Sequence, residues 1–231
     1  MGDCKTIVVV MPAYNEAAVI SSVLARIPVR IDGHIVIPVV VDDASTDGTA
    51  SIAQREGAVV LLHLANLGVG AATITGLKAA RQLGADIIVT MDADGQHDPA
   101  EIESLVRCLI HGHFDVVIGS RLLNPGGMPL SRFAANLLLN AMTFVVYRKI
   151  VSDSQSGFKA FSREALDKLE LKSHGYGICS EMIGEIYSKN LFYKSLPVKA
   201  VYTKYSRAKG QHFLNGINLI LGLLVRLVKR V

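Results

Sequence analysis

Ile87-Ile88-Val89-Thr90-Met91-Asp92-Ala93-Asp94-Gly95-Gln96-His97 is the stretch that decides the fold of this chain. It begins as an apolar run of strand length and ends in two carboxylates spaced i, i+2. Side chains alternate along an extended backbone, so Asp92 and Asp94 point the same way as long as strand geometry persists. Two adjacent carboxylates repel and raise each other's pKa unless a cation lies between them. Gln96 adds an amide oxygen one step further on. An all-oxygen set of this kind suits a hard divalent ion, Mg2+ or Mn2+, rather than zinc. Gly95 lets the chain turn, and Asp98-Pro99 has the form of a helix cap and first helical residue. A solvated Asp-rich turn is the plain alternative. The pair ends a buried strand, where open α/β sheets place their ligands, and that favours a site.

Outward from this stretch, apolar runs at Thr6–Met11, Ile35–Val41, Val59–Leu62 and Asp115–Ile118 predict further strands. Pro12 is expected to stop the first ladder, and Asn15 or Glu16 to open a helix reaching about Ile27. Ser45 or Thr46 can cap a helix through Gln54. Helices are also expected over Ala71–Leu83 and Pro99–His111. The alternation predicts a mostly parallel central sheet flanked by helices, an α/β fold. Asn66-Leu67-Gly68-Val69-Gly70 lacks the third glycine and the acidic partner of a dinucleotide fingerprint, although its helix N-terminus can face an anion. No phosphate-binding G-x-x-x-x-G-K-[ST] and no G-x-S-x-G nucleophile elbow is present. Asp42 and Asp43 are either capping residues or hydrogen-bonding partners for the base or ribose of a nucleotide. Arg121, just past a strand end, is either a surface residue or a clamp on a diphosphate.

The second half changes character. Residues 131–150 predict a helix rich in Leu, Phe and Val with one polar stripe, Arg132, Asn136, Asn140 and Thr143. Such a helix is either buried, part of a dimer face, or laid against a membrane. The polar loop Asp153-Ser154-Gln155-Ser156-Gly157-Phe158 precedes a short strand at Lys159–Ser162 and a helix at Arg163–Leu169. A turn at Gly175-Tyr176-Gly177, a helix at Ser180–Lys189 carrying Glu181 and Glu185, and a strand near Tyr193–Val198 follow. The division expected is a catalytic domain over 1–212 and an amphipathic helix over 213–231, its Arg226, Lys229 and Arg230 suited to anionic headgroups. Packing of that helix onto the domain is the competing expectation.

The 231 residues are half hydrophobic with a formal net charge of +4. The mean hydropathy is +0.36 and the isoelectric point about 9.0. This is ample core, with apolar surface left over for a membrane and a charge that suits anionic partners. Nucleic acid is the weakest of these and is not expected as a partner, because no basic run is interleaved with aromatics. Three scattered cysteines, Cys4, Cys108 and Cys179, fit a reducing compartment and neither a disulfide framework nor a zinc site. No stretch of about 20 uninterrupted apolar residues is present, so a spanning helix is not expected. No signal peptide is expected ahead of Lys5.

Taken in order, P-x-Y-N-E, V-V-D-D, D-A-D-x-Q-H, G-S-R and S-G-F resemble glycosyltransferase family 2 with its GT-A fold, and in particular the polyprenyl-phosphate sugar transferases. The resemblance runs from Thr6 to about His212. It implies that Pro12, Tyr14, Glu16, Asp42 and Asp43 hold the nucleotide and that Ala93 touches it through its backbone. It implies that Asp92, Asp94 and Gln96 hold Mg2+ or Mn2+ on the donor diphosphate. Arg121 and Arg207, with Lys209 beside it, would contact phosphate, and Arg121, Arg132 and Ser156 would face the acceptor phosphate. The loop after Arg207 ends in Gln211-His212, where relatives often have Glu-Ser followed by Lys, and Gly177 stands where some carry a lysine.

The reaction implied is inverting transfer of one sugar, mannose from GDP-mannose before glucose from UDP-glucose, to a polyprenyl or dolichyl phosphate. The acceptor phosphate is already an anion at neutral pH and attacks without a dedicated base. Asp94 is therefore expected to be a metal ligand, with Arg121 and Arg207 aiding departure of the nucleoside diphosphate. The implied place is the cytoplasmic face of a membrane, held peripherally, with room for a membrane partner subunit. Two alternatives stand: a family 2 transferase acting on a saccharide hydroxyl, with Glu181 or Asp153 as base, and a non-catalytic nucleotide- or lipid-binding module.

Overall fold

The computed structural model describes residues 4–202. Arg207, Lys209, the boundary at residue 212 and the 213–231 helix lie outside the described residues. Within them the first strand, β1 (Thr6–Ala13), is the centre of the sheet. It pairs in parallel with β3 (His34–Asp42) on one side and β5 (Ile87–Thr90) on the other. β4 (Val59–Leu62) adds in parallel outside β3, and β2 (Arg30–Ile31) forms a short antiparallel hairpin with β3. β7 (Lys159–Ser162) runs antiparallel between β5 and β6 (Val116–Ser120), and β8 (Tyr193–Pro197) closes that side in parallel with β6. The sheet is therefore mixed, more parallel than antiparallel, with the return strand β7 splitting β5 from β6.

Every residue of Ile7–Met11 is fully buried, as a strand covered on both faces requires. Ile7, Val9 and Met11 point into one apolar layer, shared with α1 (Ile20–Leu24) and α4 (Ile102–His111). Val8 and Val10 point into the other, shared with α3 (Val69–Gln82), α6 (Arg163–Lys168) and α7 (Ile178–Ser188). Strand alternation makes both layers from one run of sequence. After β1 the chain builds outward through β3 and β4, then returns to the other side of β1 as β5. The carboxyl ends of β1 and β5 flank this switch point, where the strand order reverses and open α/β sheets place their ligands.

Several local expectations need correction. Pro12 lies inside β1, opposite Val41. Its missing N–H would face the β5 side, where the ladder has already ended at Val10–Thr90, so nothing is lost. The first helix is shorter than expected because Asn15 takes a left-handed φ of 53° and the chain turns before Ile20. Ser45 and Thr46 cap no helix. α2 (Thr49–Arg55) starts after Gly48, and the Asp47 carboxylate accepts from the Thr49 N–H at 3.1 Å. Asp98 does cap the 3₁₀ turn Pro99–Glu101, accepting from the Ala100 N–H at 3.0 Å.

Candidate active site

The strand ends at Thr90, so Asp92 and Asp94 sit on a turn rather than on a continued strand. The pair still shares one crevice. Burial pushes the Asp94 carboxyl above the ordinary aspartate value, and the Asp92 charge pushes it further. Asp94 Oδ1 accepts from the Gln96 N–H at 2.9 Å and Oδ2 from the Gln96 side-chain amide at 2.6 Å. Asp92 keeps 41% of its side chain exposed, and His97, itself buried, donates Nε2–H to its Oδ2 at 3.2 Å. Burial raises Asp92, but the His97 hydrogen bond and the His97, Arg121 and Lys159 charges outweigh it and hold the carboxyl ionised. The His97 ring packs on Phe158 at 5.1 Å between centroids.

The donor set fits a hard divalent ion. Two carboxylates of opposite pKa tendency lie side by side, and a Cβ at Gly157 would stand 2.7 Å from Asp92 Oδ1, so glycine keeps that approach open. Among the described residues no three His, Cys, Asp or Glu side chains cluster as a metal site, and the Gln96 oxygen, expected to join the carboxylates, is turned away from them. That oxygen accepts from Arg132 Nη1 at 3.2 Å. Arg132 stands in the first turn of α5 (Leu130–Tyr147), and its guanidinium lies 5.3 Å from the centre of the Tyr202 ring.

Asp42 and Asp43 separate in role. Asp43 Oδ1 takes the His63 Nδ1 bond at 2.7 Å and the Leu67 N–H at 2.9 Å, and Oδ2 takes the Gly68 N–H at 2.8 Å. These bonds tie the loop before α3 to the sheet, so Asp43 braces the loop beside its expected place on the nucleotide. Asp42 Oδ2 accepts from Ser45 at 3.2 Å, while its buried Oδ1 has no partner among the described residues. Of the first loop, Tyr14 is exposed and Glu16 buried, with the Glu16 N–H on Thr49 Oγ1 at 2.8 Å. The Ala93 side chain is buried in the core beneath the crevice. The helix end expected to face an anion is closed: Ala71 N–H donates to the His174 carbonyl at 2.9 Å. Gly68 and Gly70 permit that approach, since a Cβ at Gly68 would stand 2.7 Å from the same carbonyl.

On the other wall, Arg121 is gripped by Asp153, with Nε and Nη2 at 2.8 and 3.0 Å from its two oxygens. Burial alone would raise Asp153, but Arg121 holds it below the ordinary aspartate value. A fully buried carboxylate so engaged is no general base, which removes Asp153 from that role. Ser156, expected near the acceptor phosphate, is likewise fully buried, its Oγ accepting from the Phe158 N–H at 3.2 Å, so its hydroxyl closes a turn. Glu181 Oε2 accepts from the Lys172 and Ser173 N–H groups at 3.2 and 2.7 Å and shapes the loop that covers α3. His97, Gly157, Lys159 and Tyr176 belong to the site without having been predicted. Lys159 is fully buried with Nζ on the Ser156 carbonyl, and Tyr176 is raised by burial and by the Asp92 and Asp94 charges. For Lys159 the signal was a cation on an otherwise apolar strand.

Two carboxylates at the switch point of a mixed α/β sheet are placed where such sheets bind their ligands. The Glycosyl transferase family 2 profile matches residues 8–170, and the chain belongs to that family. It is 37% identical over 243 residues to a UDP-N-acetylglucosamine–dolichyl-phosphate N-acetylglucosaminyltransferase of Methanococcus voltae, covering 96% of both chains. It is 32% identical to a dolichol-phosphate mannosyltransferase of Pyrococcus furiosus, over 90% of this chain and 59% of the relative. A glucosyl-3-phosphoglycerate synthase from Mycobacterium tuberculosis, solved with Mn2+, UDP and product, superposes with a TM-score of 0.70 at 26% identity, over 96% of this chain and 80% of that one. The fold is GT-A and the chain is a glycosyltransferase.

Proposed function

We propose that this enzyme transfers a single sugar, with inversion, from a nucleotide diphosphate sugar to a polyprenyl phosphate at a membrane surface. The observation that carries this is the place of Arg132. Its guanidinium touches the metal loop, and its helix turns an apolar face outward. Leu130, Leu137, Leu138, Phe144 and Val145 are exposed and recur at seven-residue intervals on one face of α5. The polar stripe faces inward instead: Asn140 donates to the Ser152 carbonyl at 2.8 Å, and Thr143 to Ser154 Oγ at 3.1 Å. α5 is long and apolar enough to cross a membrane by length and composition, but its polar side is spent on the domain. A helix docked by its polar side and apolar on the other suits an interface. That arrangement supports peripheral attachment, which we place at the cytoplasmic face, with the 213–231 stretch as a second membrane contact.

In this account Asp42 Oδ1 accepts from the nucleoside, with Pro12, Tyr14 and Glu16 around it. A divalent ion held by Asp92, Asp94 and Gln96 would supply positive charge to the departing diphosphate. Arg121, fixed in orientation by Asp153, lends its charge to the same side, and Arg132 receives the acceptor phosphate at the foot of α5. The acceptor anion attacks the anomeric carbon opposite the leaving group, so Asp94 has no proton to take. Arg207 is assigned to the departing diphosphate.

GDP-mannose is the first donor reading, supported by the likeness to the dolichol-phosphate mannosyltransferase of Pyrococcus furiosus. The uridine donor is a second reading, supported by the Methanococcus voltae relative that matches end to end and names UDP-N-acetylglucosamine. Incubation of purified protein with Mn2+, polyprenyl phosphate in detergent and radiolabelled GDP-mannose, UDP-glucose or UDP-N-acetylglucosamine tests this. One donor should carry label into the organic phase. No lipid label with any of them would overturn the proposal.

A further inference from the structure

The Gln96 side chain is bonded at both ends to groups that fix which end is which. Its amide nitrogen donates to Asp94 Oδ2 and its oxygen accepts from Arg132 Nη1. A carboxylate only accepts and a guanidinium only donates, so the amide fits in one orientation. In that orientation an N–H group, which cannot ligate a cation, faces the carboxylate pair. For the oxygen to join Asp94 on one ion the amide must turn over. Its nitrogen then meets Arg132 donor to donor, and Nη1 must turn away.

We infer that Arg132 is a positioning residue that couples the cation and acceptor ends of the site through Gln96, an inference that rests on the proposed function. With Gln96 on Arg132 the cation set is incomplete. With Gln96 turned to a cation, Arg132 Nη1 loses this acceptor and turns to an anion. The guanidinium keeps its seat beside Tyr202 throughout, because that segment is tied to the same loop. Val201 N–H donates to the Gln96 carbonyl at 2.9 Å, and His97 bridges Ala200. Arg132 also opens α5, so the anion it meets lies beside the apolar face. Reciprocity follows: a cation at Asp92 and Asp94 tightens anion binding at Arg132, and an anion at Arg132 tightens cation binding by the same factor.

The test is Mn2+ binding, followed by the paramagnetic resonance of the free ion in the presence of UDP and, separately, GDP. Wild type, Arg132→Met, Gln96→Ala and the double variant form a cycle, with thermal unfolding to show that each is folded. Arg132→Met should tighten Mn2+ about fivefold where Gln96 is present and clearly less where it is Ala. Geranyl phosphate should tighten Mn2+ in wild type and not in Arg132→Met. An additive cycle, or weaker Mn2+ binding in Arg132→Met, overturns the coupling. If Mn2+ binding is absent, or survives Asp92→Ala, the metal assignment and the coupling fall together. Binding that depends on Asp92 but shows an additive cycle removes the coupling alone.

Discussion

Asp153 holds Arg121 by three hydrogen bonds, two from the guanidinium at 2.8 and 3.0 Å and one from the Arg121 backbone N–H at 3.1 Å. The carboxylate is fully buried and the arginine side chain is 13% exposed. Removing the acid leaves a buried charge without its partner. Asp153→Ala should therefore cost about 3–5 kcal/mol of stability, measured by denaturant unfolding at pH 7.

The same pair sets a pH dependence. Asp153 is held below its ordinary value in the folded chain, so its contribution is present above the unfolded aspartate pKa and lost as pH falls through the lowered folded value. The stability gap between wild type and Asp153→Asn should be wide at neutral pH and close only in strong acid. A gap that closes between pH 8 and 6 would contradict the assignment.

Gly157 lies against the Asp92 carboxylate, where a Cβ would come within 2.9 Å of both oxygens. Gly157→Ala should leave a folded protein, destabilised by about 1–3 kcal/mol, with transfer reduced well beyond what the lost stability explains. The comparison is kcat against the unfolding midpoint. Full activity would show that the Asp92 carboxylate has room to spare.

Asp92 and Asp94 repel each other when no cation is present. Asp94→Asn should raise the thermal midpoint of the metal-free protein while reducing transfer about a hundredfold or more. Calorimetry on chelator-treated protein and an activity assay read the two effects side by side.

Leu138 and Phe144 are exposed on the outward face of α5. Leu138→Glu and Phe144→Glu should change stability by no more than about 0.5 kcal/mol, as exposed positions do. Flotation with vesicles of anionic phospholipid should fall sharply in both. Unchanged flotation would move membrane contact away from this helix.

The buried strands were legible because burial on both faces writes an unbroken apolar run, as in Ile7–Met11 and Ile87–Thr90. Asp92 and Asp94 were legible because the run ends in them. The antiparallel insertion of β7 was not, since strand partners are chosen by tertiary packing and not by the run itself. The bracing of Asp43 was not legible, because His63 reaches it from just past β4, a pairing that local sequence does not encode. The polar loop before β7 has the composition of a surface loop, yet it folds inward onto the buried polar side of α5. The short α1 turned on Asn15, whose left-handed conformation asparagine tolerates but does not announce.

The central claim is that the acceptor is a lipid phosphate. The most direct measurement offers the working donor to the enzyme with polyprenyl phosphate and a panel of oligosaccharides together, with Mn2+ and with chelator. The account predicts label in the organic phase as an acid-labile glycosyl phosphate, lost with chelator and with Asp92→Ala. Label passing into a water-soluble oligosaccharide, with the polyprenyl phosphate unmodified, would contradict it.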